Sequence, residues 1–171
     1  MEIELRPLSL GDGADIYAML CEIGPGENGF GNSAYGVAFA DFPDYLKQQD
    51  DMSKGLIDLS IFVPHTVYWL IVDRKPVGMV KLRHYLNDKL RVSGGHIGYC
   101  IRPSERGKGY GAIMLAETLK QARKLGIDEV MLTCSPDNTA SIRTIERSAG
   151  MLESSTADTC TFWIKVPATT S

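Results

Sequence analysis

A chain of 171 residues with a net charge of −3 and 44% hydrophobic residues can bury one substantial core and does not have the composition of a disordered polypeptide. The acidic balance gives no sign of a nucleic-acid partner, which would call for a basic excess, and no apolar run reaches membrane-spanning length. The cysteines Cys21, Cys100, Cys134 and Cys160 are widely spaced with no Cys-x-x-Cys pair; this is the pattern of reduced thiols in a cytoplasmic protein, with no metal site expected.

In chain order, Ile3 to Arg6 alternates and predicts an edge strand ended by Pro7. Met1 to Pro7 lacks the form of a secretory signal. Asp15 to Ile23 predicts a short helix with Ile16, Met19 and Leu20 on one face. Gly24 to Gly36 reads as a glycine-rich loop, with Phe30 and Tyr35 as anchors. Phe42 opens a second helix that runs to about Lys54, with Pro43 near its start, where a missing N–H is harmless. Thr66 to Val72 and Val77 to Arg83 predict an antiparallel hairpin around a turn at 73–76. Tyr85 to Gly95 is expected as a polar loop, and His96 to Ile101 as the next strand.

The glycine-rich stretch Arg106-Gly107-Lys108-Gly109-Tyr110-Gly111 then joins that strand to a helix over Ala112 to Leu125. Gly126 suits a left-handed C-terminal cap. Val130 to Cys134 predicts a buried strand, and the strand–helix–strand crossover favours parallel, right-handed pairing with the strand at 96–101. Asp137 or Asn138 caps another helix, ending near Ala149-Gly150. Met151 to Ser155 and Thr161 to Val166 close the chain as a strand pair. No repeat or second domain is visible, so 1–171 is read as a single domain of α/β (α+β) class.

A glycine turn opening a helix leaves unpaired N–H groups at the positive helix end, an arrangement that binds phosphate or pyrophosphate. A dinucleotide-binding fold would carry its glycines in the first strand–helix unit. A Walker loop would need Gly-Lys-Ser/Thr, whereas Gly107-Lys108 is followed by Gly109. The position after a hairpin, two-thirds of the way along, fits neither.

With Arg106, Gly109 and Gly111 matching Arg/Gln-x-x-Gly-x-Gly/Ala, the strand before them, Pro103, and Asn138 following, the chain resembles the GNAT superfamily of acetyl-CoA-dependent N-acetyltransferases. The resemblance covers residues 60–153 well and the flanks by element order. The stretch from Gly94 to Tyr99 and from Arg102 to Arg106 looks like a bacterial subgroup with no assigned substrate. The resemblance implies a mixed, mostly antiparallel central sheet with a parallel splayed strand pair, flanked by helices. It implies acetyl-CoA as co-substrate, without a metal, and direct transfer to a small-molecule or peptide amine. The coenzyme would lie against Tyr99, Cys100, Ile101, Arg106, Gly107, Lys108, Gly109, Tyr110, Gly111, Asn138 and Ser141, with an oxyanion-binding N–H near Ile101. Lys108 has two readings, a phosphate contact or a solvated lysine. Asn138 has two compatible ones, helix cap and coenzyme contact.

The catalytic candidates are His96, Tyr99 and Ser141. His96 is either a general base or a structural strand-end residue, and Glu105 is expected to be solvated. The family's proton-donating tyrosine falls at Ile145, so either another group, such as Ser141, Tyr99 or water, serves the leaving thiolate or it departs unprotonated, which a thiol reference pKa of ~8.5 allows. Cys134 is read as a small buried residue rather than a nucleophile. The acceptor pocket draws on Phe30, Tyr35, Phe42, Tyr45, Arg83, His84, Tyr85, Asn87 and Trp163, with most aromatics assigned to the core. Arg83 and Asn87, beside Tyr85, are placed to meet a carboxylate or carbonyl. A non-catalytic acyl-CoA-binding module is the alternative, and a nucleotide-binding scaffold is disfavoured. Exposed edge strands are compatible with a homodimer.

Overall fold

The computed structural model describes residues 1–27 and 30–168. Strand β1 (Ile3–Pro7) is followed by helices α1 (Ala14–Ile23) and α2 (Phe42–Ser53), then the hairpin β2 (His65–Val72) and β3 (Lys75–Arg83). A short helix α3 (Asp88–Val92), strand β4 (Ile97–Ile101), helix α4 (Tyr110–Lys124), strand β5 (Glu129–Cys134), helix α5 (Thr139–Arg147) and strands β6 (Met151–Ser155) and β7 (Cys160–Lys165) complete it.

The hairpin turn is tighter than the expected 73–76. Asp73 and Arg74 both adopt left-handed φ, +48° and +70°, and close a two-residue connection whose twist suits paired strands, so Lys75 and Pro76 already belong to β3. The loop expected at 85–95 contains α3, because the Asn87 side chain accepts the Leu90 N–H at 2.9 Å and caps a turn of helix. At the C-terminus of α4, Gly126 takes φ +77°, and its N–H bonds Arg123 O while Ile127 N–H bonds Ala122 O, which is the expected cap.

The strands form two antiparallel sheets in the orders β1-β2-β3-β4 and β5-β7-β6. Alternation along β2 sorts its side chains: Tyr68, Leu70 and Val72 join a core with α4, α5 and the second sheet, whereas Val67, Trp69 and Ile71 join one with α1 and α2. The first sheet is thus buried on both faces. Its junction with the second is narrow. His96 N–H bonds Met131 O at 2.8 Å, and no ladder continues between β4 and β5. The expected pairing of these strands is reduced to that one backbone contact, beyond which they separate.

Candidate active site

The separation opens a cavity of about 800 Å³, bounded by β4, β5 and the N-terminal turns of α4 and α5. β4 is laddered to β3 only, so its other edge borders the cavity, with Tyr99, Cys100 and Ile101 in the wall. Arg106, Gly107, Gly109, Tyr110, Gly111, Asn138 and Ser141 line it as well.

The glycine turn is held open from behind. The Arg106 guanidinium donates through Nε to Ile101 O at 3.0 Å and meets Glu27 at 2.5 Å. Gly107 and Gly109 have φ of +78° and +82°, a region L-residues avoid. Among the described residues nothing accepts the N–H groups of Gly107, Lys108 or Gly109, and the first N–H groups of α4 necessarily lack intrahelical partners. A Cβ placed on Gly107 or Gly109 would meet no atom within 4 Å. The space beside this turn therefore accommodates an anionic group, which the amides and the α4 N-terminus would stabilise.

Glu105 is buried, not solvated as expected. Its carboxylate receives Lys108 at 2.7 Å and also Lys75; the Lys108 hydrogen bond and then that of Lys75 hold its pKa below the usual range. Lys108 is thereby directed to Glu105 and is not part of the cavity wall. Glu22 on α1 steadies the same segment: it binds Arg102 at 3.0 Å and Ser104 N–H at 2.9 Å. The Arg102 hydrogen bond brings its pKa down to about 2.

His96 is a clamp between the two sheets. It is buried, and its Nδ1 accepts the Met131 N–H at 2.9 Å while its own N–H reaches Met131 O. Burial, then Arg91 and Arg83, push its pKa down to about 4. A neutral ring with Nδ1 engaged carries its proton on Nε2, and His96 does not line the cavity. This geometry opposes the general-base reading and favours the structural one.

Tyr99 points from β4 to α5, with its hydroxyl 2.9 Å from Ser141 Oγ, and burial raises its pKa. Asn138 caps α5 by accepting the Ser141 N–H at 3.2 Å. Ile145, at the tyrosine position of the resemblance, is fully buried in the core. Cys134 lies at the end of β5 in the cavity wall, and burial, followed by Cys160, pushes its thiol up to about 11. Such a thiol is poorly ionised and a weak nucleophile.

On the acceptor side, Arg83 lines the cavity and donates to Gly94 O and Gly95 O. Asn87 is engaged in its cap and Tyr85 is exposed, and neither lines the cavity. Phe42 and Tyr45 are buried in the core as expected, Tyr35 is exposed, and Phe30 borders the cavity. Trp163 packs its ring edge-on to His96. The sequence reading missed Lys81, a cavity residue whose position only the β3–β4 register reveals.

Two splayed sheets with an amide-rich turn at the gap define a cleft with room for an anionic ligand beside an unpaired strand edge. The sequence model of the acetyltransferase (GNAT) domain matches residues 2–151, and the chain belongs to the GNAT acetyltransferase family. No curated protein matches it. Solved structures agree on the fold. A RimL ribosomal L7/L12 alpha-N-protein acetyltransferase in complex with coenzyme A superposes with TM-score 0.72 at 14% identity, covering 96% of this chain and 94% of that one. The microcin C7 self-immunity acetyltransferase MccE, in complex with acetyl-CoA and AMP, gives 0.71 at 16%, covering 96% and 93%. The ribosomal-protein-S5-alanine acetyltransferase of Vibrio fischeri gives 0.71 at 14%, covering 97% and 94%.

Proposed function

We propose that the whole chain acts as one N-acetyltransferase domain, transferring the acetyl group of acetyl-CoA to a primary amine by direct attack in a ternary complex. The observation that carries this reading is the open amide turn at 106–111, placed at the mouth of the gap beside β4. Its N–H groups and the start of α4 would hold the diphosphate, and the free edge of β4 at 99–101 would hydrogen-bond the pantetheine arm as an added strand does. Acetyl-CoA supplies a thioester carbonyl already activated towards amines. The acceptor amine, with a reference pKa of ~10, must lose its proton before attacking; water in the open cleft is the group we assign to take it, since His96 is engaged. The Tyr99–Ser141 hydroxyl pair holds a proton where the departing sulfur would need one.

Direct transfer is favoured over an acyl-cysteine route because Cys134 is kept protonated. Cys134→Ala is therefore expected to retain turnover, and abolished transfer in a folded variant would overturn direct attack. The alternative, a non-catalytic acyl-CoA binder, draws on Ile145 occupying the tyrosine position. Calorimetry with acetyl-CoA tests the binding reading, and release of free coenzyme A in the presence of amines separates the enzyme from the binder. Among the described residues no helix is long and apolar enough to cross a membrane, and all four cysteines are free, which supports a reducing, cytoplasmic setting.

A further inference from the structure

Alternation along β3 puts Lys81 and Arg83 on the same face as the buried Met79, where the strand leaves the α1–α2 core and enters the cavity wall. The Lys81 ammonium donates to Gly31 O at 3.1 Å and lies 5.6 Å from the centre of the Phe30 ring. The Arg83 guanidinium donates to Gly94 O at 3.2 Å and Gly95 O at 3.1 Å. These acceptors are neutral. Among the described residues no carboxylate forms an ion pair with either cation: of the acids bordering the cavity, Glu27 meets Arg106, Glu105 meets Lys75 and Lys108, and Asp158 lies in the β6–β7 turn. Nearby His65 is bonded to Gln49 and His84 to Thr66, and burial lowers the pKa of both, which favours their neutral forms, so neither is a counter-charge.

Two cations partly withdrawn from water without a counter-charge are an unfavourable arrangement that a bound anion relieves. The space for one is provided by Gly98, which faces Lys81 across the β3–β4 ladder. A Cβ there would stand 3.6 Å from the Phe30 ring and 3.9 Å from Arg83 Nη1. The φ of Gly98 is not positive, so backbone conformation does not demand glycine; its missing side chain leaves a gap between ring and guanidinium. We propose that the acceptor of this enzyme is an amine that also carries an anionic oxyacid group, a carboxylate or a phosphate, held by Lys81 and Arg83 over Gly98. This rests on the transferase reading above and narrows its substrate class; it disfavours polyamines, whose second cation would face like charge.

The experiment compares matched acceptors. Acetyl-CoA binding is first measured by calorimetry. Coenzyme A release is then followed with ethanolamine, O-phosphoethanolamine, β-alanine, β-alanine amide and putrescine. The expected result is a kcat/KM at least about tenfold higher for an anionic member than for its neutral counterpart, the scale of one charge-assisted contact; the phosphate and carboxylate arms tell which oxyacid is preferred. Lys81→Met should bring that ratio towards one while the acetyl-CoA dissociation constant stays unchanged. Gly98→Ala, which the spacing allows to fold, should raise the KM of the anionic member more than that of acetyl-CoA. Equal or better use of neutral amines or putrescine, an unaltered ratio in Lys81→Met, or no turnover of any anionic member while acetyl-CoA binds would overturn the anionic acceptor. Failure to bind acetyl-CoA would overturn the transferase reading and this proposal with it.

Discussion

Gly109 separates ligand binding from folding at a single residue. Its backbone is left-handed at φ +82°, and a side chain there would project into open space. Gly109→Val therefore carries a local cost of ~1–2 kcal/mol from the disfavoured φ, with its Cβ meeting no atom within 4 Å. A ligand phosphate seated on the turn would meet the new side chain directly, so the acetyl-CoA dissociation constant is expected to rise about tenfold or more by calorimetry, with the circular dichroism spectrum retained. An unchanged dissociation constant would place the coenzyme elsewhere. Tyr99 permits a second test at this scale. Tyr99→Phe removes one hydroxyl and its 2.9 Å contact with Ser141, costing about 1 kcal/mol of stability. If that hydroxyl delivers the proton to the leaving sulfur, kcat should fall on the order of a hundredfold, with little change in KM for acetyl-CoA. An unaltered kcat would assign the proton to water.

The clamp between β4 and β5 is a property of elements, and it titrates. His96 is held neutral with a pKa of about 4 against an ordinary 6.5, so protonation is disfavoured in the folded protein relative to the unfolded chain. Its contribution is present above pH 6.5 and is lost as pH falls through 6.5 towards 4. Glu22, lowered to about 2 from 4.5, acts in a more acidic window, losing its contribution as pH falls from 4.5 towards 2. The melting temperature is thus expected to drop between pH 7 and 4.5, with His65, lowered to about 3, contributing to the same drop, and His96→Gln should make it shallower while lowering stability at pH 7; an identical pH slope in the variant would show that His96 does not clamp the sheets. Local pattern made much of this scaffold readable beforehand. The hairpin strands, the Asn138 cap and the left-handed Gly126 all follow from residues within a few positions of one another. Contacts made at long range were not readable. His96 finds Met131, Glu105 is buried by Lys75, and Lys81 comes to face Gly98 only once the strands are in register, and nothing in the residue types alone fixes those meetings. The missing tyrosine at 145 was visible in the sequence, but its physical setting, a side chain buried in the core, was not.

At the scale of the molecule, one sheet separates two packed layers, and the cleft joins chemistry from both. The α4–α5 side lines it with amides and hydroxyls, proposed above for the coenzyme, while the α1–α2 side contributes Phe30, Lys81 and Arg83, proposed above for the acceptor. This division gives the reaction two opposing pH dependences. Raising the pH deprotonates more of the attacking amine and speeds transfer up to its pKa of ~10. Burial, and then Arg83, bring the Lys81 pKa down to about 8; His65, whose own pKa Lys81 helps to lower, is already neutral with a pKa of about 3, and Arg83 keeps its charge. As pH rises through 8, Lys81 loses the charge that attracts an anionic acceptor, so the KM of that acceptor should climb. The kcat/KM of an anionic amine is then expected to stop rising above pH 8 and to pass through a broad maximum at pH ~9, midway between the two pKa values, because it reports groups in the free enzyme and free substrate. A neutral amine of the same basicity should show a kcat/KM that continues to rise beyond that point. In Lys81→Met the two profiles should become parallel. Parallel profiles in the unaltered enzyme would show that Lys81 does not contribute to acceptor recognition.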